Sequence, residues 1–354
     1  MANILVTGGA GYIGAVCCSR LLERGHRVTV VDDLSTGHAS AVPQGAVLKQ
    51  LDIGDRAALA NALAEDRFDV VFHFAAKALI AESVTNPGMF FDSNVASGIA
   101  LLETLRVAGI RRFVFSSSAA VYGNPVSPMI HEDDLKQPVN AYGESKLVLE
   151  RILNWYANAY GWTIVAFRYF NACGATATIG EDHNPETHII PLLLRTAAGE
   201  RDFFEIYGGD YPTPDGTCLR DYVHVQDIAE AHLLALEVQR ESGMSVYNIG
   251  IGTSYSVQQV CHVVQQELGR KLNLKRVCRR PGDPAILCAS PQRLMRELGW
   301  KPQRSDLLSI VRSAWQWKQD HPRGYQAEET KTATPSVESG LHDGGHTLPA
   351  NSLP

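Results

Sequence analysis

The 354 residues contain no apolar window of about 18, no CxxC or HExxH spacing, and no basic run longer than pairs such as Arg111-Arg112 and Arg279-Arg280. The first absence excludes a membrane-spanning helix of ordinary length. The second removes the common zinc and metal-hydrolase patterns, so no metal site is expected. The third, with a formal net charge of -6, leaves no footprint for nucleic acid or an anionic membrane. The seven cysteines (17, 18, 173, 218, 261, 278 and 288) are odd in number and scattered, which argues against a disulfide framework and for a reducing compartment. The opening Met1-Ala2-Asn3 runs straight into ILVTGG without room for a signal peptide, so a cytoplasmic location is expected.

What is present is a globular composition, 45% hydrophobic and 20% charged, long enough for two lobes. NILVTG, RVTVVDD, AVLKQLDI, DVVFHFAA, RRFVFSSS and TIVAFRYF alternate with helical patterns. These runs are continuously apolar, as strands covered on both faces are, and predict an α/β fold with a doubly wound parallel sheet. The organisation expected is a Rossmann-like dinucleotide domain over 1–172, with a late segment near 223–253 returning to it through SVYNIG. A smaller mixed α/β substrate lobe is expected over 173–325, mainly 173–222 and 254–325. Residues 326–354, rich in Thr, Ser, Gly and Pro without apolar period, read as a disordered tail.

TGGAGYIG, at Thr7–Gly14, places Gly8, Gly11 and Gly14 between a strand and the helical run VCCSRLLERG. That arrangement lets backbone approach a pyrophosphate at a helix N-terminus: Gly8 for the tight turn, Gly11 for the phosphate, Gly14 for packing helix on strand. The second strand ends in Asp32, where a carboxylate accepts hydrogen bonds from an adenosine ribose and repels a 2′-phosphate; NAD is therefore favoured over NADP. Asp52 and Ile53, closing the third strand, stand where an adenine ring would lie.

AYGESK puts Tyr142 and Lys146 at i and i+4, on one face of a helix. It follows RRFVFSSSAAVYG, whose strand ends in Ser116, Ser117 and Ser118 at the edge where doubly wound folds bind ligands. A phenol of pKa about 10 needs about 4 kcal/mol of differential stabilisation to titrate near 7. A lysine one turn on and the cationic ring of NAD⁺ are the expected sources, with Ser118 relaying a substrate hydroxyl proton. Ser116 and Ser117 read as strand-end hydrogen bonders.

Taken with HFAAKALIAESVTNP, FDSNVASG, RYFNACGA, HIIP, GGDYPTPDGTCLRDYVHVQDIA and RRPGDPA, these motifs resemble the extended, nucleotide-sugar branch of the short-chain dehydrogenases/reductases. In order and spacing over about residues 3–325 they look like the UDP-glucose 4-epimerase family. The resemblance implies a redox-neutral inversion at C4 of a UDP-hexose through a transient 4-keto sugar, with NAD retained and recycled. It implies Ser118, Tyr142 and Lys146 as the catalytic set, Lys146 also orienting the nicotinamide ribose. Cofactor contacts are implied at Tyr12, Ile13, Phe74, Ala75, Asn94 and Tyr169. Substrate contacts, besides Ser118 and Tyr142, are implied at Asn171 and His188, at Arg220 and Arg280 for the diphosphate, and at Asp283 for the uridine ribose. Arginine's planar fork suits bidentate phosphate contact.

Two positions depart from the family pattern. Relatives place a lysine one residue after Lys77, where this chain has Ala78, and Leu287 stands where others carry a bulky tyrosine or a smaller residue. Leucine leaves room beside the sugar C2 group, so 4-epimerisation of a UDP-N-acetylhexosamine, UDP-pentose or UDP-uronate stays open. A dehydratase would need an acidic pair where Ala119 and Ala120 stand. A net oxidoreductase, or a dinucleotide-sensing protein without catalysis, is a further alternative, the latter opposed by the intact Ser118, Tyr142 and Lys146. The resemblance also implies a homodimer packed through the helix beginning near Tyr142 and another over about 95–107.

Overall fold

The computed structural model describes residues 1–238, 242–280 and 283–325; the expected tail, 326–354, lies outside the described residues. The strands are β1 (Asn3–Thr7), β2 (Arg27–Asp32), β3 (Val47–Gln50), β4 (Val70–His73), β5 (Arg112–Ser118), β6 (Thr163–Tyr169), β7 (Asn171–Cys173), β8 (Phe204–Tyr207), β9 (Leu219–His224), β10 (Gly243–Ile249), β11 (Ser254–Ser256), β12 (Leu274–Val277) and β13 (Ile286–Leu287).

Seven of these form one parallel sheet in the order β10-β6-β5-β4-β1-β2-β3. The order reverses at β1, whose neighbours are β2 and β4, and that is the switch point at which a doubly wound sheet opens a crevice beyond its carboxyl ends. The central strands β1 and β4 are buried along their whole length because both faces are covered, while the edge strand β3, VLKQ, is only partly buried. Side-chain alternation sends Ile4, Val6, Val30 and Phe72 into a core with Ile228, Leu294 and Trp300. Leu5, Val31, Val71 and Phe113 point the other way, against Leu101, Leu105, Leu149 and Leu153.

Beside this sheet, β9 pairs with β7, β11 and β13, while β8 pairs with β12. A third core, including Ile190, Leu193, Phe204, Tyr222, Val260 and Ile310, holds the helices Ile189–Ala197, Val257–Leu268 and Leu307–Asp320 on these short strands. The chain crosses between the two bodies: β10 returns to the central sheet beside β6, in register from Gly243 opposite Thr163 to Ile249 opposite Tyr169.

One junction positions the chemistry. The helix Ala141–Tyr160 begins at Asn140, whose side chain accepts a hydrogen bond from the Gly143 N–H at 2.8 Å. Its first turn packs on the short turn Ala119–Tyr122, which leaves β5 directly and is capped by Ser118 through the Ala120 N–H at 3.1 Å. Strand end and helix start are thereby pressed together, with Ser118 on one and Tyr142 on the other.

Candidate active site

At the switch point, Gly8 adopts φ +76° and approaches β4 so closely that a Cβ on it would lie 2.3 Å from the Ala75 nitrogen. A Cβ on Gly14 would lie 2.2 Å from the Gly8 carbonyl oxygen, which fixes the helix Tyr12–Glu23 against the turn. Gly11 meets only the Gly8 oxygen, at 3.4 Å, so nothing in the chain itself demands glycine there. It caps the helix without a side-chain hydrogen bond, leaving the first-turn N–H groups at Tyr12, Ile13 and Gly14 for an anionic ligand. The Tyr12 hydroxyl is used elsewhere, donating to the Gly174 carbonyl and tying this turn to the second lobe.

Asp32 is buried at the end of β2; its two oxygens accept the N–H groups of Ala10 and Leu34, each at 2.9 Å. Burial raises its pKa and these two donors oppose the rise. Asp52 is exposed and accepts the Gly54 N–H, while Ile53 belongs to the core beneath. Phe74 and Ala75 leave β4 with both N–H groups donated to the Thr7 carbonyl, and the Thr7 hydroxyl meets His73 at 2.7 Å, so the ends of β1 and β4 are locked side by side. Asn94 is buried and its amide is in use: it accepts from the Lys77 N–H and donates to the Lys77 carbonyl and the Ser145 hydroxyl. Asn94 thus fixes the Lys77 backbone, while the Lys77 ammonium reaches Ser35, beyond β2, at 3.1 Å.

Ser118 and Tyr142 come together at this junction, close enough for the Ser118 hydroxyl to act on the phenol. Burial raises the Tyr142 pKa and the Ser118 hydroxyl pulls against it. The Lys146 ammonium does not bond the phenol. It donates to the Ser116 carbonyl at 2.8 Å and lies 5.9 Å from the Tyr142 ring centre. Burial lowers the Lys146 pKa to about 7, with the Glu150 carboxylate opposing. Its charge is partly suppressed by burial and is aimed at a backbone oxygen. Underneath, Glu150 grips Arg168 with two hydrogen bonds, at 2.6 and 3.0 Å, and accepts from the Ser117 hydroxyl. Tyr169, opposite Ser118 across the sheet, has its hydroxyl engaged by His232 at 2.7 Å.

On the second lobe, the Asn171 amide donates to the Asp221 carbonyl at 2.9 Å. Arg220 does not pair with its neighbour Asp221, which is buried and receives the N–H groups of Ile251, Gly252 and Ala289. Arg220 instead lies 3.5 Å from Asp283 and donates to the Pro284 carbonyl at 2.9 Å, so two expected substrate residues share one cluster. Arg280 stacks over the Tyr207 ring at 3.8 Å. Leu287 pairs in register with Arg220 and packs with Ala119, Tyr122 and Leu147, which links this cluster to the Ser118 turn. His188 stands apart from it, held between Glu181 and Glu186, whose carboxylates push its pKa well up. Glu150, Arg168 and these two glutamates were not anticipated as site residues. The signal for the glutamates is the stretch EDHNPETH, where acid and histidine alternate within eight residues.

Residues 4–250 match the model of the NAD dependent epimerase/dehydratase family. A UDP-glucose 4-epimerase of Streptococcus mutans is 46% identical over 91% of this chain and 98% of its own length. This chain belongs to the UDP-glucose 4-epimerase family. The family likeness extends to solved structures: that of the Brucella ovis UDP-glucose 4-epimerase in complex with NAD matches with a TM-score of 0.86 at 42% identity, over 89% of this chain and 98% of that one. The Bifidobacterium longum UDP-glucose 4-epimerase in complex with NAD⁺ and UDP matches with a TM-score of 0.87 at 34% identity, over 91% and 99%. Among the described residues no helix is long and apolar enough to cross a membrane.

Proposed function

We propose that the protein interconverts UDP-galactose and UDP-glucose by inversion at C4, with a retained NAD. The observation that carries this reading is the placement of Ser118, at the carboxyl end of β5, beside Tyr142, in the first turn of the helix packed on it, next to a glycine turn open to a pyrophosphate. The turn fits the dinucleotide because a Cβ at Gly8 or Gly14 would collide with backbone, while Gly11 leaves the helix N-terminus clear. Asp32 supplies the carboxylate for the adenosine ribose. When bound, NAD⁺ supplies the hydride acceptor and donor for C4 and a positive ring charge near the phenol.

The chain's own residues hold and move the proton. Tyr142 takes it from the sugar 4-hydroxyl and returns it after the ketone has presented its other face; Ser118 holds the same oxygen by hydrogen bond. Since burial alone raises the Tyr142 pKa, the phenolate is reached only with positive charge alongside, and the Lys146 ammonium is one contributor. Tyr12, Ile13, Asp52, Ile53, Phe74, Ala75, Asn94 and Tyr169 frame the cofactor crevice. Asn171, His188, Arg220, Arg280 and Asp283 serve the UDP moiety, with Arg220 leaving Asp283 for the diphosphate.

Leu287, packed on the buried cluster that includes Ala119, supports a second reading in which sugars substituted at C2 are also accepted. Homodimerisation through the helices Ser97–Val107 and Ala141–Tyr160 is supported by their side-by-side packing, with Arg106 stacked on Tyr160, and by Val107 and Trp155, 79% and 71% exposed. The seven free cysteines favour a cytoplasmic location.

The test is conversion of UDP-galactose by the purified protein without added cofactor, read by NMR, with UDP-N-acetylgalactosamine, UDP-xylose and UDP-glucuronate alongside. UDP-glucose is the expected product. No epimer from any of the four, even with NAD⁺ supplied, would send the function to another nucleotide-sugar reaction or to a non-catalytic role.

A further inference from the structure

Between β7 and the helix Ile189–Ala197, the loop carries four side chains that converge, Glu181, His183, Glu186 and His188, the last of them also assigned above to the UDP moiety. Nδ1 of His183 lies 3.1 Å from Glu181 Oε1, and Nδ1 of His188 lies 2.6 Å from the same oxygen and 2.9 Å from Glu186 Oε1. One ligand atom from each residue lies within 4.8 Å of all the others.

A second observation points to a missing partner. The Glu186 side chain is only 1% exposed, and its Oε2 is buried with no hydrogen bond. Its Oε1, by contrast, receives the N–H groups of Thr187 and His188, both at 2.6 Å. A buried carboxylate oxygen without a partner is costly and rare in folded proteins. The single Nδ1 of His188 faces both carboxylates and reaches only their Oε1 atoms.

We propose that Glu181, His183, Glu186 and His188 bind one divalent cation of the zinc class. Two imidazole nitrogens and two carboxylate oxygens form a tetrahedral set that zinc accepts, whereas magnesium and calcium prefer all-oxygen, higher-coordinate sites. Bonds of about 2.1 Å put tetrahedral ligands about 3.4 Å apart. The three pairs at 2.6–3.1 Å therefore need to open by about 0.3–0.8 Å, and pairs nearer the 4.8 Å limit to close, which side-chain rotation supplies. Two carboxylates and two neutral imidazoles neutralise the ion's charge. The ion would tie down a strap that is already stitched at both sides, since the Asp182 carboxylate receives the Tyr325 N–H at 3.0 Å and its carbonyl faces His38 Nε2 at 3.1 Å. It would also orient the His188 ring at the start of the helix Ile189–Ala197.

Untagged full-length protein, stripped with chelator and supplied with Zn²⁺ alone, is expected to retain one equivalent per chain after gel filtration, by elemental analysis, and to melt higher. Mg²⁺ is expected to do neither, and Co²⁺ to give the visible absorption of a tetrahedral site. His183→Ala and the isosteric Glu186→Gln are each expected to lose the equivalent and the cobalt band; Glu186→Gln keeps the test readable if His183→Ala folds poorly. Clearly sub-stoichiometric zinc with no cobalt band in the parent, or undiminished uptake by both variants, overturns the proposal. None of these readouts depends on epimerisation.

Discussion

Gly143 lies between the residues proposed for chemistry and offers a sharp test of how the site is assembled. A Cβ built there would lie 2.5 Å from the Ala120 carbonyl oxygen and 3.2 Å from the Ala120 Cβ, where ordinary contact begins at 3.4 Å. Gly143→Ala therefore needs the helix start and the Ala119–Tyr122 turn to part by the difference, 3.4 − 2.5 = 0.9 Å. Tyr142 rides on the first of these elements and Ser118 caps the second. Both hydroxyls must reach one substrate oxygen, and a hydrogen bond of about 2.7 Å to it, opened by that amount, is no longer a hydrogen bond. Misplacement on the order of 1 Å costs about 10²-fold in rate, or about 2.7 kcal/mol of transition-state stabilisation. The fold should suffer less, because alanine is favoured over glycine in helices by up to about 1 kcal/mol and offsets part of the strain. The assay is epimerisation of UDP-galactose, with melting temperature and retained NAD measured on the same preparation. The expected variant melts near the parent, keeps NAD and turns over about 100-fold more slowly. A folded Gly143→Ala protein working at the parental rate would refute the claim that this contact sets the Ser118–Tyr142 geometry.

Tyr142→Phe is expected to lower turnover by at least about 10²-fold while leaving NAD bound, as loss of a general base does; near-parental activity would remove Tyr142 from that role. Asp32→Ala should weaken the preference for NAD over NADP, measured by reconstitution of cofactor-stripped protein, and an unchanged preference would count against the ribose contact. Burial holds His73 neutral with its pKa lowered to about 3, and His224 and His232 with theirs lowered to about 4. Each folded value lies below the unfolded one near 6.5, so above that pH the three cost nothing. As pH falls towards 4 the unfolded chain binds up to three more protons than the native one, and stability drops by up to about 4 kcal/mol per pH unit. Urea midpoints at pH 7.5, 6 and 5 should fall accordingly, and a flat series would show that these histidines are not buried neutral.

Local signals carried the frame and failed where the chain folds back on itself. The six β-branched runs of the first half and the late SVYNIG are the seven strands of the central sheet, because buried parallel strands favour apolar, β-branched runs. Gly8 and Gly14 were legible for the same local reason: a strand, a turn and a helix within a dozen residues demand close backbone approach. The family resemblance marks Asn94 as a cofactor residue but not its role of fixing the Lys77 backbone and the Ser145 hydroxyl, 17 and 51 residues away. The YxxxK spacing fixed which helix face carries Tyr142 and Lys146 but not the height of the ammonium, which the Ser116 carbonyl sets from the neighbouring strand. EDHNPETH matched no helical or hairpin metal pattern, since an irregular loop brings its side chains together with no fixed period. In each case the missing term is a contact made across the fold, and it decides what a residue touches once composition and spacing have decided where it stands.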